Sequence, residues 1–441
     1  MILIGNGVLI THNASEPVIH DGCVAVDGTA ITDFGTTGEM KQKYPQGAFY
    51  DARGGVIMPG LINTHGHIYS AFARGMSLKN SKVSRNFTQI LENLWWRVDR
   101  ALALPEISSS AYTTYIDGIK NGVTTVFDHH ASAGCVKDSL FTIAEVAETL
   151  GVRTSLCYEV SDRDGAAVAD EGIKENADFI AYASKQSSDM IKGLFGLHAS
   201  FTLSENTLDK CVDAANGAGF HVHTAEGIDD LFDSQKKYGK RVVERLHDAA
   251  VLGPQSIAVH CIHIDAREMD ILKHTDTAVV HNPESNMGNA VGCPAVIHMM
   301  EKGLTVGLGT DGYTTDMLES FKVANILHKH NLGDPSVGWG ESARMLLANN
   351  GKICARYFNR PLGVIEKGAY ADIIVVDYDA PTPITAGNTS SHILFGMMGR
   401  SVRSTMVGGR FVMKDRELLT ADEQEVYRKA RELAEKFWER A

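Results

Sequence analysis

Eight short apolar and β-branched runs recur between residues 56 and 309, and the segment closing each one carries a group able to hold a metal ion or move a proton. The runs are 56–64, 124–127, 152–160, 192–197, 220–222, 256–259, 277–280 and 305–309. They are short and lack polar alternation, as expected of strands buried on both faces. Helical-looking stretches separate them, which predicts βα units and a parallel sheet. The first connection is long and contains a helical segment at 86–103. The closing groups are His65 and His67, His129 and His130, Glu159, His198, His223, His260, His281 and Asp311. About half of the 18 histidines fall in these few places. In an open sheet the outer strands lie too far apart to share a site. In a (β/α)₈ barrel the C-terminal strand ends converge on one face. The expected fold is therefore α/β, a (β/α)₈ TIM barrel.

The flanks have a different pattern. Before residue 56 the chain reads as short strands at 2–4, 8–10, 23–26 and 30–34, with Asp27-Gly28 as a hairpin signal. Residues 372–377 and 404–412 read the same way. The two flanks are expected to meet in a small β-sandwich built from both chain ends. Thr420 and Glu423 form a capping-box pattern before Val426, Ala430, Leu433 and Phe437, which recur at helical spacing. The expected divisions are 1–58 and 363–418 for the two parts of the sandwich, 59–362 for the barrel and 419–441 for a terminal helix.

His65-Gly66-His67 follows an apolar strand, and residues at i and i+2 of an extended chain face the same side. Imidazole suits zinc and other borderline metals. His223 closes the fifth run, with His221 one layer deeper as a satisfied core histidine. Asp311 closes the eighth and completes a set of three histidines and one carboxylate. The expected cofactor is one divalent ion per chain, zinc or another borderline metal, held by His65, His67, His223 and Asp311. The strand-four position offers His198 and no lysine, which favours one ion over a binuclear site. Glu226 lies three residues past His223 and suits proton transfer, its alternative being a helix N-terminal acid. His260 is expected to orient a water, with metal ligation as the alternative. His198 is assigned to substrate. His129, His130 and His281 either line the pocket or support a ligand from behind. Trp95 and Trp96 form either a pocket wall for a flat heterocycle or helix core.

A net charge of -12 argues against a nucleic-acid partner, which needs a basic face. No apolar run reaches the roughly 18–20 residues of a spanning helix, so no membrane partner is expected. The opening MILIGNGVLI lacks the marks of a signal peptide, and seven scattered cysteines with no CxxC pair fit a reduced cytoplasmic protein.

Five motifs together resemble the amidohydrolase superfamily. They are Pro59-Gly60-Leu61-Ile62-Asn63-Thr64-His65-Gly66-His67, His223-x-x-Glu226, His260-Cys261, His281-Asn282-Pro283 and Leu308-Gly309-Thr310-Asp311-Gly312. Gly368-x-x-Ala371-Asp372 extends the resemblance into the second flank. The match is to the aminohydrolase branch, with its guanine, S-adenosylhomocysteine and triazine deaminases and its chlorohydrolases. Asn93-Leu94-Trp95-Trp96-Arg97, Asp128-His129-His130-Ala131-Ser132 and His392-Ile393-Leu394-Phe395-Gly396 are similar to the SsnA-type aminohydrolases linked to selenium metabolism. Ser285-Asn286-Met287-Gly288-Asn289 keeps the family's Ser-Asn without a fixed continuation.

The resemblance implies a mononuclear zinc or iron site with the same four ligands. It also implies proton relay by Glu226 and Asp311, water orientation by His260 and substrate contact by His198. The implied activity is hydrolytic deamination of a purine-, pterin- or triazine-like heterocycle by a metal-bound hydroxide. Opening of a cyclic amide and hydrolysis of a halogenated heterocycle are alternatives at the same site. A non-catalytic metal-binding or assembly protein is the alternative of another class. The expected partner is a small heterocyclic substrate, and family habit suggests a homodimer.

Overall fold

The runs read as strands form two parallel sheets in a computed structural model that describes residues 1–76 and 82–441. One sheet holds Leu61–Gly66, Val123–His130, Arg153–Tyr158 and Ile191–Gly193 in chain order. The other holds Phe195–Ala199, Phe220–Thr224, Ile257–His260, Ala278–His281 and Val306–Leu308. Almost every residue of these strands is buried, which is why the runs carry no polar alternation. The two sheets touch at both edges. Gly66 bridges Asp311, and Val160 bridges Leu197. The Thr310 and Asp311 amides donate to the His65 carbonyl at 2.9 and 3.1 Å, and the His198 amide donates to the Val160 carbonyl at 3.0 Å. The fourth predicted run, 192–197, is two short strands broken at Leu194.

The intervening helices cover the sheets with apolar stripes. In Ser139–Leu150 the buried Leu140, Ile143, Ala144 and Ala147 recur at helical spacing, and left-handed Gly151 ends the helix. Ser204 caps Glu205–Ala215 by accepting from the Thr207 amide. The predicted helical segment 86–103 is realised as Phe87–Ile90, a widened turn at Leu91–Trp95, and Trp96–Ala101. Such wide turns frequently mark functional sites.

Strands from both flanks share a single nine-stranded sheet. Three sequence expectations change here. The run 56–64 is two strands: Val56–Pro59 pairs with Ile2–Ile10 and Ile373–Val376, whereas Leu61–Gly66 joins the parallel sheet. Gly60 makes the crossing, where an added Cβ would sit 2.3 Å from the Thr124 side chain. The run 404–412 is a hairpin, Val402–Val407 and Arg410–Lys414, turned at Gly408-Gly409 with φ of 53° and 76°. The final helix, Glu423–Arg440, is capped by Asp422, not Thr420. The Asp422 carboxylate accepts from the Gln424 and Glu425 amides at 3.0 and 3.1 Å.

Arg153 on the parallel sheet reaches Asp372 of the flank sheet at 3.1 and 3.2 Å, with both side chains about 1% exposed. Asp372 also accepts from the Gly408 amide at 2.7 Å. Removing one partner strands a buried charge. Asp372→Ala is therefore expected to lower stability by about 3–5 kcal/mol in denaturant unfolding. An Arg153→Met/Asp372→Leu double variant should lose much less, because no charge is left buried. Equal losses in the two proteins would show that packing, not charge pairing, sets the cost.

Candidate metal centre

His65 and His67 stand where the first parallel strand meets the last. Asn63 locks that seam: its amide nitrogen donates to Thr310 Oγ1 at 2.8 Å, and its carbonyl oxygen accepts from the Thr310 amide at 3.2 Å. Gly309 permits the approach, since a Cβ there would meet Asn282 Oδ1 at 2.5 Å and the His65 carbonyl at 2.8 Å. Ala225, His260, Cys261 and Asp311 all take positive φ, at 47°, 68°, 51° and 55°. Left-handed non-glycine backbone costs energy and clusters at functional sites.

Hydrogen bonds to carbonyls fix the imidazole tautomers. His67 Nδ1 lies 2.6 Å from the His129 carbonyl, and His223 Nδ1 lies 2.9 Å from the His198 carbonyl. A carbonyl only accepts, so each Nδ1 carries the proton and each Nε2 presents a lone pair. Those two Nε2 atoms are 3.2 Å apart. Two lone pairs at that distance repel unless a cation lies beside them. His67 Nε2 is also 3.3 Å from Asp311 Oδ1. His65 Nε2 is buried and has no hydrogen-bond partner among the described residues. Its Nδ1 rests 3.0 Å from His221 Nε2.

Ligand atoms of His65, His67 and Asp311 lie within 4.8 Å of one another, and so do those of His65, His223 and His260. The structure thus brings His65, His67, His223 and Asp311 together. Three imidazole nitrogens and a carboxylate are a donor set suited to a divalent transition metal. His221, the deeper histidine, supports His65 from behind.

Two carboxylates face this cluster through His260. Its Nε2 is 3.4 Å from Glu226 Oε2 and 3.4 Å from Asp311 Oδ2, and its Nδ1 is 2.8 Å from Asn286 Oδ1. Burial, reinforced by the Asp311 charge, pushes Glu226 well above the ordinary carboxylate range. Burial also acts to raise Asp311, but the neighbouring His67 and His260, together with hydrogen bonds from Ser285 and the Gly312 amide, bring it below its usual value. Environments that push two acids apart suit one to give a proton and the other to take one.

The pocket above the cluster is walled by Trp95, Trp96, His198, Glu159, Glu226 and Asn289. Both tryptophans line it, and Trp95 also packs on the core and stands edge-on to Tyr69 at 6.1 Å. His198 faces the pocket as expected. His129 is fully buried behind the wall, its Nε2 on the His221 carbonyl at 3.0 Å and its Nδ1 3.2 Å from Glu159 Oε2. It does not line the pocket, but packs behind its wall against Glu159 and the His223 ring, whose centroid is 4.5 Å away. His130 bonds Ser132 at 3.0 Å, and His281 lies buried against His328. Glu159 stands in the sequence only as one of the strand-end groups and Asn289 only as the end of the Ser285–Asn289 segment, neither with a role of its own. Glu159 was signalled by its place at the end of the third run. Asn289 lies in a helix-end turn with no pattern of its own.

The chain is similar to known proteins. The model of the amidohydrolase family matches residues 56–412. A 5'-deoxyadenosine deaminase of Methanosarcina acetivorans is 30% identical over 100% of this chain and 99% of its own. A 5-methylthioadenosine/S-adenosylhomocysteine deaminase of Syntrophomonas wolfei is 31% identical over 99% of each chain. Among solved structures, an adenosine deaminase from Xanthomonas campestris with bound zinc superposes with a TM-score of 0.85 at 21% identity, covering 99% of this chain and 98% of that one.

Proposed function

Since the chain belongs to the amidohydrolase family, we propose that it is a metal-dependent aminohydrolase that removes an amino group from a nitrogen heterocycle. The observation that carries this reading is the gathering of His65, His67 and Asp311 ligand atoms, with His223 Nε2 3.2 Å from His67 Nε2 and with Glu226, its acid pushed well above the ordinary range, 3.4 Å from His260. The relatives named above act on adenosine derivatives by their names, which supports an aminopurine-like substrate. One zinc ion per chain fits the donor set and the zinc in the similar structure. When bound, such an ion acts as a Lewis acid that makes water nucleophilic near neutral pH.

The chain's own groups then handle the protons. Asp311 takes a proton from the attacking water through its carboxylate oxygen. Glu226 gives its acid proton to the ring nitrogen next to the reacting carbon. Asp311 passes its proton to the departing amine, which leaves as ammonia, and the proton of the added hydroxyl returns to Glu226 as the carbonyl forms. His260, between the two carboxylates, orients the water. Trp95 and Trp96 flank the ring, and His198 contacts it.

We read the two edge-joined parallel sheets as a (β/α)₈ barrel spanning 59–362, and the flank sheet as a small β-sandwich from 1–58 and 363–418, with 419–441 as the docked helix. The edge hydrogen bonds support the barrel, and the sheet shared by both flanks supports a unit built from the two chain ends. All seven cysteines are free, which supports a reducing cytoplasm. No helix of the described residues is long and apolar enough to cross a membrane.

The test is ammonia release by metal-replete protein from aminopurines, aminopterins and aminotriazines. Release from at least one class, with the amino group replaced by oxygen, is expected. Chloride release or ring opening without ammonia would instead identify one of the sister reactions. Metal retention with no turnover of any kind would leave a binding protein.

A further inference from the structure

We propose that Glu159 reads a hydrogen-bond donor on the substrate, so that the preferred heterocycle carries an N–H or O–H group besides the amino group it loses. The proposal rests on the aminohydrolase reading and adds to it a rule for which heterocycle is taken.

Glu159 follows the strand Arg153–Tyr158, and its amide donates to the His130 carbonyl at 2.8 Å, which sets the side chain on the pocket wall. The side chain is 4% exposed. Its two oxygens have different surroundings. Oε2 lies 3.2 Å from His129 Nδ1. Oε1 has no hydrogen bond among the described residues, and His198 Nε2 is 3.8 Å away.

The orientation of His198 decides what lies beside that oxygen. His198 Nδ1 is 2.7 Å from Thr202 Oγ1, and that hydroxyl gives its one proton to the Ala199 carbonyl at 3.1 Å. Both bonds form only if His198 Nδ1 is the donor, which leaves Nε2 as a lone pair. The wall therefore presents two acceptors, Glu159 Oε1 and His198 Nε2, side by side. Arg163, whose charge acts on both groups, pairs with Asp99 and lies 5.2 Å from the Trp96 ring.

A substrate placing a ring nitrogen or carbonyl at this wall would bury acceptor against acceptor. One placing an amino group there satisfies both, and one placing a hydroxyl there satisfies one of them. A site built to bond a donor rejects an analogue that lacks it far more strongly than an apolar pocket rejects a change of size. The donor has two chemical sources: a second amino group on the ring, or a hydroxyl of an attached sugar.

Two substrate pairs separate them. 2,6-Diaminopurine against adenine varies a ring amino group, and adenosine against 2',3'-dideoxyadenosine varies sugar hydroxyls. The protein should favour the donor-bearing member of one pair by at least about tenfold in kcat/KM, carried mainly by KM. In Glu159→Leu that preference should fall to about twofold or less, while Glu159→Gln, which keeps an acceptor oxygen, should retain part of it. Metal content should match wild type in both variants. Calorimetric binding of the same four compounds supplies the ratio independently of turnover. Preference in binding without ammonia would sink the deaminase reading and leave the role of Glu159 standing. Ammonia release with no preference in either pair would overturn the proposal and leave the activity standing. An unchanged preference in the variants, or no binding of any of the four, would also overturn it.

Discussion

Glu226→Gln is expected to lower ammonia release by about 10²–10⁴-fold, the range that a positioned acid or base contributes, while bound metal stays at the wild-type level. The reasoning is geometric. Glu226 Oε2 lies 3.4 Å from His260 Nε2 and on the pocket wall, so it faces both the His260 imidazole and the pocket proposed to take the substrate. Burial and Asp311 keep it protonated well above the usual carboxylate range. Glutamine preserves its volume and polarity but cannot deliver a proton. Because none of the four proposed ligands changes, metal analysis separates loss of the acid from loss of the ion. Undiminished turnover in this variant would remove Glu226 from the proton path. Loss of metal alongside turnover would make it part of the ion's support instead.

His67→Ala carries the second large effect. His67 Nε2 is 3.2 Å from His223 Nε2 and 3.3 Å from Asp311 Oδ1, so His67 stands between the two halves of the donor set. Its removal should strip the ion and lower turnover by at least about 10³-fold, since Lewis-acid stabilisation is worth several kcal/mol of barrier. His221→Phe gives the comparison. It leaves every proposed ligand but takes away the ring behind His65 Nδ1. Losing such a supporting bond typically costs about 10–100-fold in metal affinity or activity. Metal titration of both variants reads the order directly. A His67→Ala protein that binds metal as tightly as wild type would place the ion elsewhere.

Much of this site was legible because each chemical group follows a strand in chain order. His65, His67, His223 and Asp311 each close an apolar run, so strand counting alone put them on one face. The tautomers were not legible. They depend on the His129 and His198 carbonyls, which come from other strands and have no side-chain signature. Glu159 showed the converse limit. Its position was visible, but its two unlike oxygens arise from His129 on one side and an open pocket on the other. In the fold, the run 56–64 misled because hydrophobicity is continuous across Gly60 while the sheet changes there. The Gly408-Gly409 turn was hidden inside a run that otherwise looked extended. Thr420 matched a capping pattern, but Asp422 lies closer to the first helical turn and serves its amides directly.

The flank sheet also sets a schedule for the protein's birth. Met58 pairs with Ile374, more than 300 residues later in the chain. At bacterial-to-eukaryotic elongation speeds of about 5–20 residues per second, the early strands wait roughly 15–60 s for the partner that covers their edge. Throughout that interval Val56–Pro59 offers an open, wholly apolar edge beside the emerging barrel segment. The span between the two halves of this sheet is therefore the period in which a nascent chain has most need of a chaperone, and slow codons late in the message would lengthen it.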